Sequence, residues 1–558
     1  MIPAMIATAV APETITKVTR LFNNTAYDVI CELFQNARRA GASEIAVTIV
    51  DGGDASYLQV VDDGHGIADP ASIVTLGRSG WSDDTRKAED PAGMGVFSLA
   101  GRDVIIRSYS QPDRQGWMAH IPALAWETSR PIAISPDPIS YGTSITIRMP
   151  GQWLATIERD VAAAALHLPV AVSLNGTQQS RKDWLADAVH VEVWNGTRIG
   201  ILNVSASHHS VKDPSLNFHG VTIPCHLPHV QETDRGGHWV ARVDIVNAPE
   251  IQLVLPARKE VVENDGVAAL RRSVQCALYR AIAAHGTHRL SFEQWSEARD
   301  LGIVLPEAEP YLFTWVAPAA DTYRNYETGE RSTDPSMVLM PDFDALVAQP
   351  AARAIAAHNP FGGPLVEAKD AFKGYGWYDR LARIETLAFD VVQGDLAFTV
   401  SDELEPPAEA EDGWVDAITL TASVSHLGGF VDVACDADVA FATTAQLFFP
   451  AEETPIFVRR GSGLSAVAVA ELLESATFYA SDDGDADSYD TQQERFSRDA
   501  IERTIRLLEG GDAALEKRLR DLLSGYSFLI PEDRAVSIDV TRNGLSITIS
   551  PTTPADAS

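Results

Sequence analysis

Pairs of glycines stand at the ends of apolar runs early in this chain. Gly64 and Gly66 follow the strand-like Tyr57 to Val61, and Gly93 and Gly95 precede a helical run. Glycine supplies positive φ and lets backbone approach a neighbour closely, so each pair fixes a tight corner between two elements. Around these corners the apolar spacing alternates. Thr25 to Ala40 places Ile30, Leu33, Phe34 and Ala37 at helical intervals, with Gly41 where a helix C-terminal glycine belongs. Glu44 to Val50 and Tyr57 to Val61 read as strands split by the turn Asp51-Gly52-Gly53-Asp54. Asp103 to Ser110, Trp117 to Ile121, Thr143 to Met149 and Pro169 to Leu174 read as further strands, and Ile157 to Leu166 as a helix. The expected fold is α/β, an α+β two-layer sandwich that ends near residue 180.

A chain of 558 residues is too long for one core, and four domains are expected: 1–183, 184–290, 291–402 and 414–558. The second reads as α+β, with a hairpin about Asn195-Gly196, a strand from Trp239 to Val246 and a helix from Val261 to Ala283. The third is mixed and aromatic-rich, without a chemical signature. Glu403 to Gly413 is a Pro/Glu-rich linker candidate. The last domain is acidic α+β and closes on a hairpin from Val536 to Ile549, turning at Asn543-Gly544.

Composition narrows the function classes. Cys31, Cys225, Cys276 and Cys435 form no CxxC pair, which argues against a disulfide framework or zinc site and suits a reducing cytoplasm. Met1 to Pro12 carries no basic residue and does not read as a signal peptide. No run of 18 apolar residues occurs, so no membrane span is expected. Acids outnumber bases 77 to 44, for a net charge of −33. Duplex DNA is gripped by neutralising phosphates, so this balance points to protein partners rather than nucleic acid.

Four separated motifs suggest a ligand site. Glu32 and Asn36 are four residues apart and share one helix face. An amide oxygen there can coordinate magnesium, and a carboxylate can activate water, although a solvated polar stripe has the same spacing. Asp62-Asp63-Gly64-His65-Gly66 ends a strand, where a carboxylate can accept a hydrogen bond from an exocyclic amine such as that of adenine. Gly77-Arg78-Ser79-Gly80 and Gly93-Met94-Gly95-Val96 bracket the polar stretch Trp81 to Asp90. The second glycine motif opens a helix, whose free N–H groups can cradle phosphate, and the polar stretch has the character of a lid. Thr143 follows Gly142 into a strand, where its hydroxyl can reach a base pocket.

In this order and at these separations, the four motifs resemble the N box and glycine boxes of the GHKL ATPases, which have the Bergerat fold. ELFQNARRAGA is similar to the N box of MutL and the large heat-shock chaperone, and GMGVFSLA is closer to the chaperone's glycine box than to that of the histidine kinases. Arg39 and Asp63 depart from the family pattern. The resemblance implies ATP and Mg2+ as cofactors. It implies Glu32 as general base, Asn36 as metal ligand, and Asp62 on the adenine amine. Gly64, Gly66 and Thr143 would form the base pocket. Ser79, Gly80, Gly93, Met94, Gly95 and Val96 would contact the rest of the nucleotide, the last four at the phosphates. Leu253 to Val261 resembles the chaperone's middle-domain segment, which makes Arg258, then Lys259, the cation that reaches the γ-phosphate.

The expected activity is an ATPase switch, chaperone-like, acting on a protein client and pairing into an ATP-dependent homodimer. DNA processing in the manner of MutL or a topoisomerase is the alternative, as is a non-hydrolysing sensor or scaffold. A histidine kinase would need a phosphoacceptor helix ahead of the N box. Separately, Asp483, Asp485, Asp487, Tyr489, Thr491 and Glu494 fall at the positions of a calcium loop, but Ser488 stands where glycine is required, so an acidic solvated connection is the expectation.

Overall fold

The computed structural model describes residues 25–51, 55–73, 81, 98–128, 131–204, 213–234, 236–254, 260–321, 329–442, 450–481, 486–525 and 527–551. The chain divides into two compact units, 1–309 and 310–558.

The first unit opens with helix α1 (Ala26–Arg39), whose N-cap Thr25 accepts a hydrogen bond from the Asp28 N–H at 3.1 Å. Its strands are β1 (Glu44–Asp51), β2 (Ser56–Asp62), β3 (Val104–Ser110), β4 (Gln115–Ile121), β5 (Ile134–Asp137), β6 (Thr143–Arg148), β7 (Ala171–Leu174) and β8 (Thr177–Gln178). They form one sheet in the order β5-β4-β3-β6-β2-β1-β7-β8, antiparallel except for β1 beside β7. Alternate strand residues (Ile45 and Val47, Leu58 and Val60, Ile145 and Ile147) join Val29, Ile30, Leu33 and Phe34 of α1 in one core, which also takes Val161 of helix α2 (Ile157–Ala165). This is the two-layer sandwich expected from the alternating periodicities.

A second sheet follows in the same unit: β9 (His190–Trp194), β10 (Thr197–Val204), β11 (Leu216–Phe218), β12 (Val221–Ile223), β13 (Val230–Gln231) and β14 (His238–Ile245). Its order is β12-β11-β14-β10-β9, with β13 on β14. Helix α3 (Asp265–His285) packs into the same core. The helix begins at Asp265, four residues later than the spacing predicts. Val261 is engaged in a bridge to Leu253, and the Asn264 side chain caps the Val267 N–H at 2.9 Å. The unit ends with α4 (Phe292–Asp300), started by a capping box between Ser291 and Gln294.

In the second unit, β15 (Leu312–Phe313) pairs with β16 (Arg331–Ser332). A six-stranded sheet contains β17 (Val338–Met340), β18 (Leu365–Glu367), β19 (Ala382–Gln393), β20 (Leu396–Val400), β22 (Ala417–His426) and β23 (Gly429–Asp436). β21 (Gly413–Val415), β24 (Val439–Phe441) and β25 (Ile456–Arg459) form a smaller sheet. Helices α5 (Ala345–His358), α6 (Ala466–Thr477), α7 (Tyr489–Leu508) and α8 (Gly511–Ser524) complete the unit with the hairpin β26 (Arg534–Thr541) and β27 (Gly544–Pro551). The stretch 403–413 connects β20 to β21 inside this unit, and β22 beyond it pairs back onto β19. The closing hairpin turns one residue earlier than expected. Thr541 pairs with Gly544, leaving Arg542 and Asn543 as the loop. That register sets Val536, Ile538 and Val540 opposite Ile549, Ile547 and Leu545 on one face, so apolar matching overrides the Asn-Gly preference.

Candidate functional site

The site begins where α1 runs into the loop after β2. The C-terminal turn of α1 meets that loop directly: the His65 N–H donates to the Ala40 carbonyl at 2.9 Å. A Cβ on Gly64 would stand 2.7 Å from Ala40 Cβ and 2.9 Å from Asp62 Oδ1, which leaves room for glycine alone. Asn36 and Glu32, both half-buried, lie one and two turns back along the same helix.

Asp62 is the last residue of β2 and pairs in register with Thr143 at the start of β6. Its carboxylate accepts the Gly64 N–H at 3.0 Å. Burial pushes its pKa up to about 6, against the lowering effect of hydrogen bonds from the Gly64 and Thr143 backbones. Such a group is ionised at neutral pH but titrates just below it. Two further glycines hold the corner. Gly66 (φ +75) would place a Cβ 2.1 Å from the Tyr109 carbonyl oxygen, and Gly142 (φ +66) would place one 1.9 Å from that of Asp62.

Asp63, next to Asp62, has a different role. Its carboxylate accepts the Ser43 N–H at 2.7 Å, the Glu44 N–H at 3.0 Å and the Ser43 hydroxyl. The burial penalty, the largest single effect, is outweighed by these bonds together, and its pKa is held below the usual range. It fastens the approach to β1.

Ser108 is a site residue that motif reasoning missed. Fully buried on β3, its hydroxyl bonds with the Thr143 hydroxyl at 2.9 Å and the Gly142 carbonyl at 3.2 Å, and accepts the Ile67 N–H at 2.9 Å. It therefore joins the Asp62 loop to the Gly142 turn. The signal in the sequence is a serine in phase with the buried Val104 and Ile106. Trp117 Nε1 adds a bond to the Ile67 carbonyl at 3.0 Å.

Asn36 Oδ1 receives a hydrogen bond from Arg39 Nη1 at 3.3 Å, near the long limit for such a bond. A neutral amide oxygen so lightly held suits a magnesium ion that takes most of its ligands from phosphates and water. Among the described residues no group of three or more His, Cys, Asp or Glu side chains forms a protein metal cage. Between Glu32 and Asn36, Gln35 is buried and donates from Nε2 to the His219 carbonyl at 2.5 Å, tying α1 to the turn between β11 and β12.

Asn36, Asp62, Gly64, Gly66 and Thr143 are thus brought to one end of the sheet and the C-terminal part of α1, with Glu32 one turn further back along the helix. Ser79, Gly80, Gly93, Met94, Gly95, Val96, Arg258 and Lys259 lie outside the described residues, as does the expected lid after Trp81. So do Asp483 and Asp485 of the acidic loop. In its described part, Ser488 caps α7 by accepting the Thr491 N–H, Thr491 and Glu494 lie in the first turns of that helix, and Asp487 pairs with Arg495 at 2.7 Å.

No family model matches the chain, and no curated protein is similar to it. Among solved structures, the chain is similar to the ATPase region of Saccharomyces cerevisiae topoisomerase II, at 12% identity over 46% of this chain and 90% of that one, with a TM-score of 0.33. It is also similar to the same region bound to ICRF-187, at 13% identity over 43% and 78%, with a TM-score of 0.30. The ATPase and transducer domains of DNA topoisomerase II from Balamuthia mandrillaris match at 16% identity over 36% and 61%, with a TM-score of 0.28.

Proposed function

We propose that the first unit binds ATP in the manner of the GHKL ATPases and hydrolyses it with magnesium. The observation that carries this reading is the half-buried Asp62 carboxylate at a strand end, walled by Gly64, Gly66, Gly142 and the Thr143 hydroxyl. A carboxylate there accepts a hydrogen bond from the adenine amine, and close backbone approach admits a flat base. Asn36 contributes an amide oxygen to a magnesium ion, which, when bound, neutralises phosphate charge. Glu32 takes the proton of the water that attacks the γ-phosphorus, with ADP as leaving group. Ser79, Gly80, Gly93, Met94, Gly95 and Val96 complete the nucleotide contacts, and Arg258 or Lys259 reaches the γ-phosphate.

The test is ATP binding and turnover measured in parallel. Glu32→Ala is expected to bind ATP without turnover, and Asp62→Asn to lose binding. Asp62→Asn binding as tightly as the parent chain would end the reading.

For the output, we favour a chaperone-like clamp acting on a protein partner over DNA processing. Most arginines of the 184–309 region with a described side-chain partner answer a carboxylate: Arg198 pairs with Asp183 and Asp244, Arg271 with Glu263, Arg280 with Glu192 and Arg289 with Asp234. Cations already paired within the fold are poorly placed to neutralise phosphates. DNA affinity that falls steeply with salt would favour the topoisomerase-like alternative instead. ATP would also pair two copies of the chain, a change of mass to be read by sizing with a non-hydrolysable analogue.

A further inference from the structure

The second unit contains a crevice that the nucleotide reading does not use. β17 lies between β18 and β19 and is parallel to both. The chain leaves β17, passes through α5 and enters β18 on one side. It then returns past β17 to β19 on the other side. The two crossovers run in opposite directions, and right-handedness puts them on opposite faces of the sheet. Loops that diverge in this way open a crevice outside the carboxyl ends of their strands, a common place for a ligand in open α/β sheets.

A cavity of about 920 Å³ occupies that place. Residues 341–342 after β17, Glu367 at the end of β18 with 368–370 beyond it, and Arg383 on β19 line it, together with the segment 315–319. Gln349 of α5 holds that segment by donating to the Pro318 carbonyl at 3.0 Å. Half-buried Trp315, with Pro318 and Pro341, gives one wall an apolar surface.

The charges on the wall are mostly answered. Glu367 pairs with Lys369 at 2.9 Å, and Asp370 with Lys373 at 2.8 Å. Two groups remain. The half-buried Arg383 guanidinium donates from Nη2 to the Tyr378 hydroxyl at 3.2 Å, and that hydroxyl also accepts the Lys369 N–H at 2.9 Å. Among the described residues no carboxylate forms an ion pair with Arg383, which acts on the Asp370 carboxylate only through space and lies 5.7 Å from the centre of the Tyr378 ring, and the exposed Asp342 carboxylate has no hydrogen bond or ion pair. What is left is one fixed cation and one anion beside an apolar wall. Phosphate groups would need a surplus of cations, and an uncharged ligand would leave the half-buried Arg383 guanidinium without a counter-charge in the crevice.

We propose that this crevice binds a small zwitterion of the α-amino-acid class, its carboxylate on Arg383, its ammonium on Asp342 and its side chain against Trp315 and Pro341. The cavity lies within the size range of small-molecule sites. Loss of one charge-assisted contact costs such a ligand about tenfold or more in affinity.

The full chain is tested by saturation-transfer NMR and calorimetry with each proteinogenic amino acid in turn at millimolar concentration. The best binder is then compared with its decarboxylated amine and its deaminated acid. The expected result is binding of the intact amino acid, weakened about tenfold or more in either truncated probe and in both Arg383→Met and Asp342→Asn. Asp342 is exposed, so its variant keeps the fold intact; thermal melting checks both variants. No amino acid binding to the parent chain would overturn the proposal. So would affinity unchanged in both folded variants, or a deaminated acid that binds as well as its parent.

Discussion

The Asp62 corner in the first unit and the crevice beside β17 in the second both place a carboxylate at or just past the carboxyl end of a strand, but they are assembled by opposite routes. The corner comes from residues that no other side chain can replace: Gly66 and Gly142 have positive φ, and their absent Cβ atoms would collide with carbonyl oxygens. The crevice is made of ordinary residues from six separate stretches of the chain, gathered by the direction of two crossovers. A site of the first kind is written in local chemistry; one of the second kind is written in topology.

The sharpest way to break this contrast is to add one methyl group in each unit. Gly142→Ala would force a Cβ to within 1.9 Å of the Asp62 carbonyl oxygen. We expect it to cost about 3 kcal/mol or more, the backbone overlap adding to the left-handed strain, and to abolish nucleotide binding. Gly362 in the second unit has a similar φ of +73 with nothing within 4 Å of the added atom. Gly362→Ala should cost only the conformational strain of about 1–2 kcal/mol. Denaturant unfolding of both variants checks the difference, and equal losses would mean that the corner is not so constrained.

The same contrast explains what was legible. α1, the strands around it and the Asp62 glycines could be read from sequence because periodicity and positive-φ demands act over a few residues. The start of α3 was misjudged because a distant bridge, Leu253 to Val261, holds the first expected turn extended. The turn of the last hairpin was misplaced because the pairing of apolar side chains along two strands outweighed one dipeptide. Ser108 was passed over because its importance lies in two partners, Gly142 and Thr143, more than thirty positions away. Arg383 carries no signal of its own, since its setting depends on strands brought together from 338, 365 and 382.

A second experiment sharpens the corner by pH. With its pKa near 6, Asp62 loses its charge as the solution is acidified, and an acceptor for the adenine amine is lost with it. ATP affinity should fall about tenfold between pH 7 and pH 5. Stability of the nucleotide-free protein should move the other way. The folded carboxyl holds its proton more tightly than the unfolded chain does, so this group's contribution falls as pH rises from about 4 to about 6. Calorimetric titrations and melts across that window test both signs, and Asp62→Asn, which is expected to lose binding, should flatten the pH dependence of the melts.

Ser108→Ala is a smaller perturbation of the same corner. It removes the hydroxyl that joins the Ile67 N–H to the Gly142 and Thr143 side of the pocket. Leaving a buried N–H without its acceptor should cost about 1–3 kcal/mol of stability and weaken ATP binding several-fold. An unchanged melting temperature would show that another group takes over the bond.

The smallest effect belongs to Asp63, and it separates two adjacent carboxylates. Asp63 is exposed and held in its charged form by Ser43 and Glu44, so its stabilisation is present above its unfolded pKa and fades as pH falls through the lower folded value. Asp63→Asn should therefore lower stability at neutral pH by no more than about 1 kcal/mol, because solvent screens the bonds, and should have almost no effect in acid. Its ATP affinity should stay at the parent value, since its bonds run back to residues 43 and 44 and not into the pocket. If Asp63→Asn weakened nucleotide binding as much as Asp62→Asn does, the division of labour between the two aspartates would be wrong, and the base pocket would have to be redrawn around both.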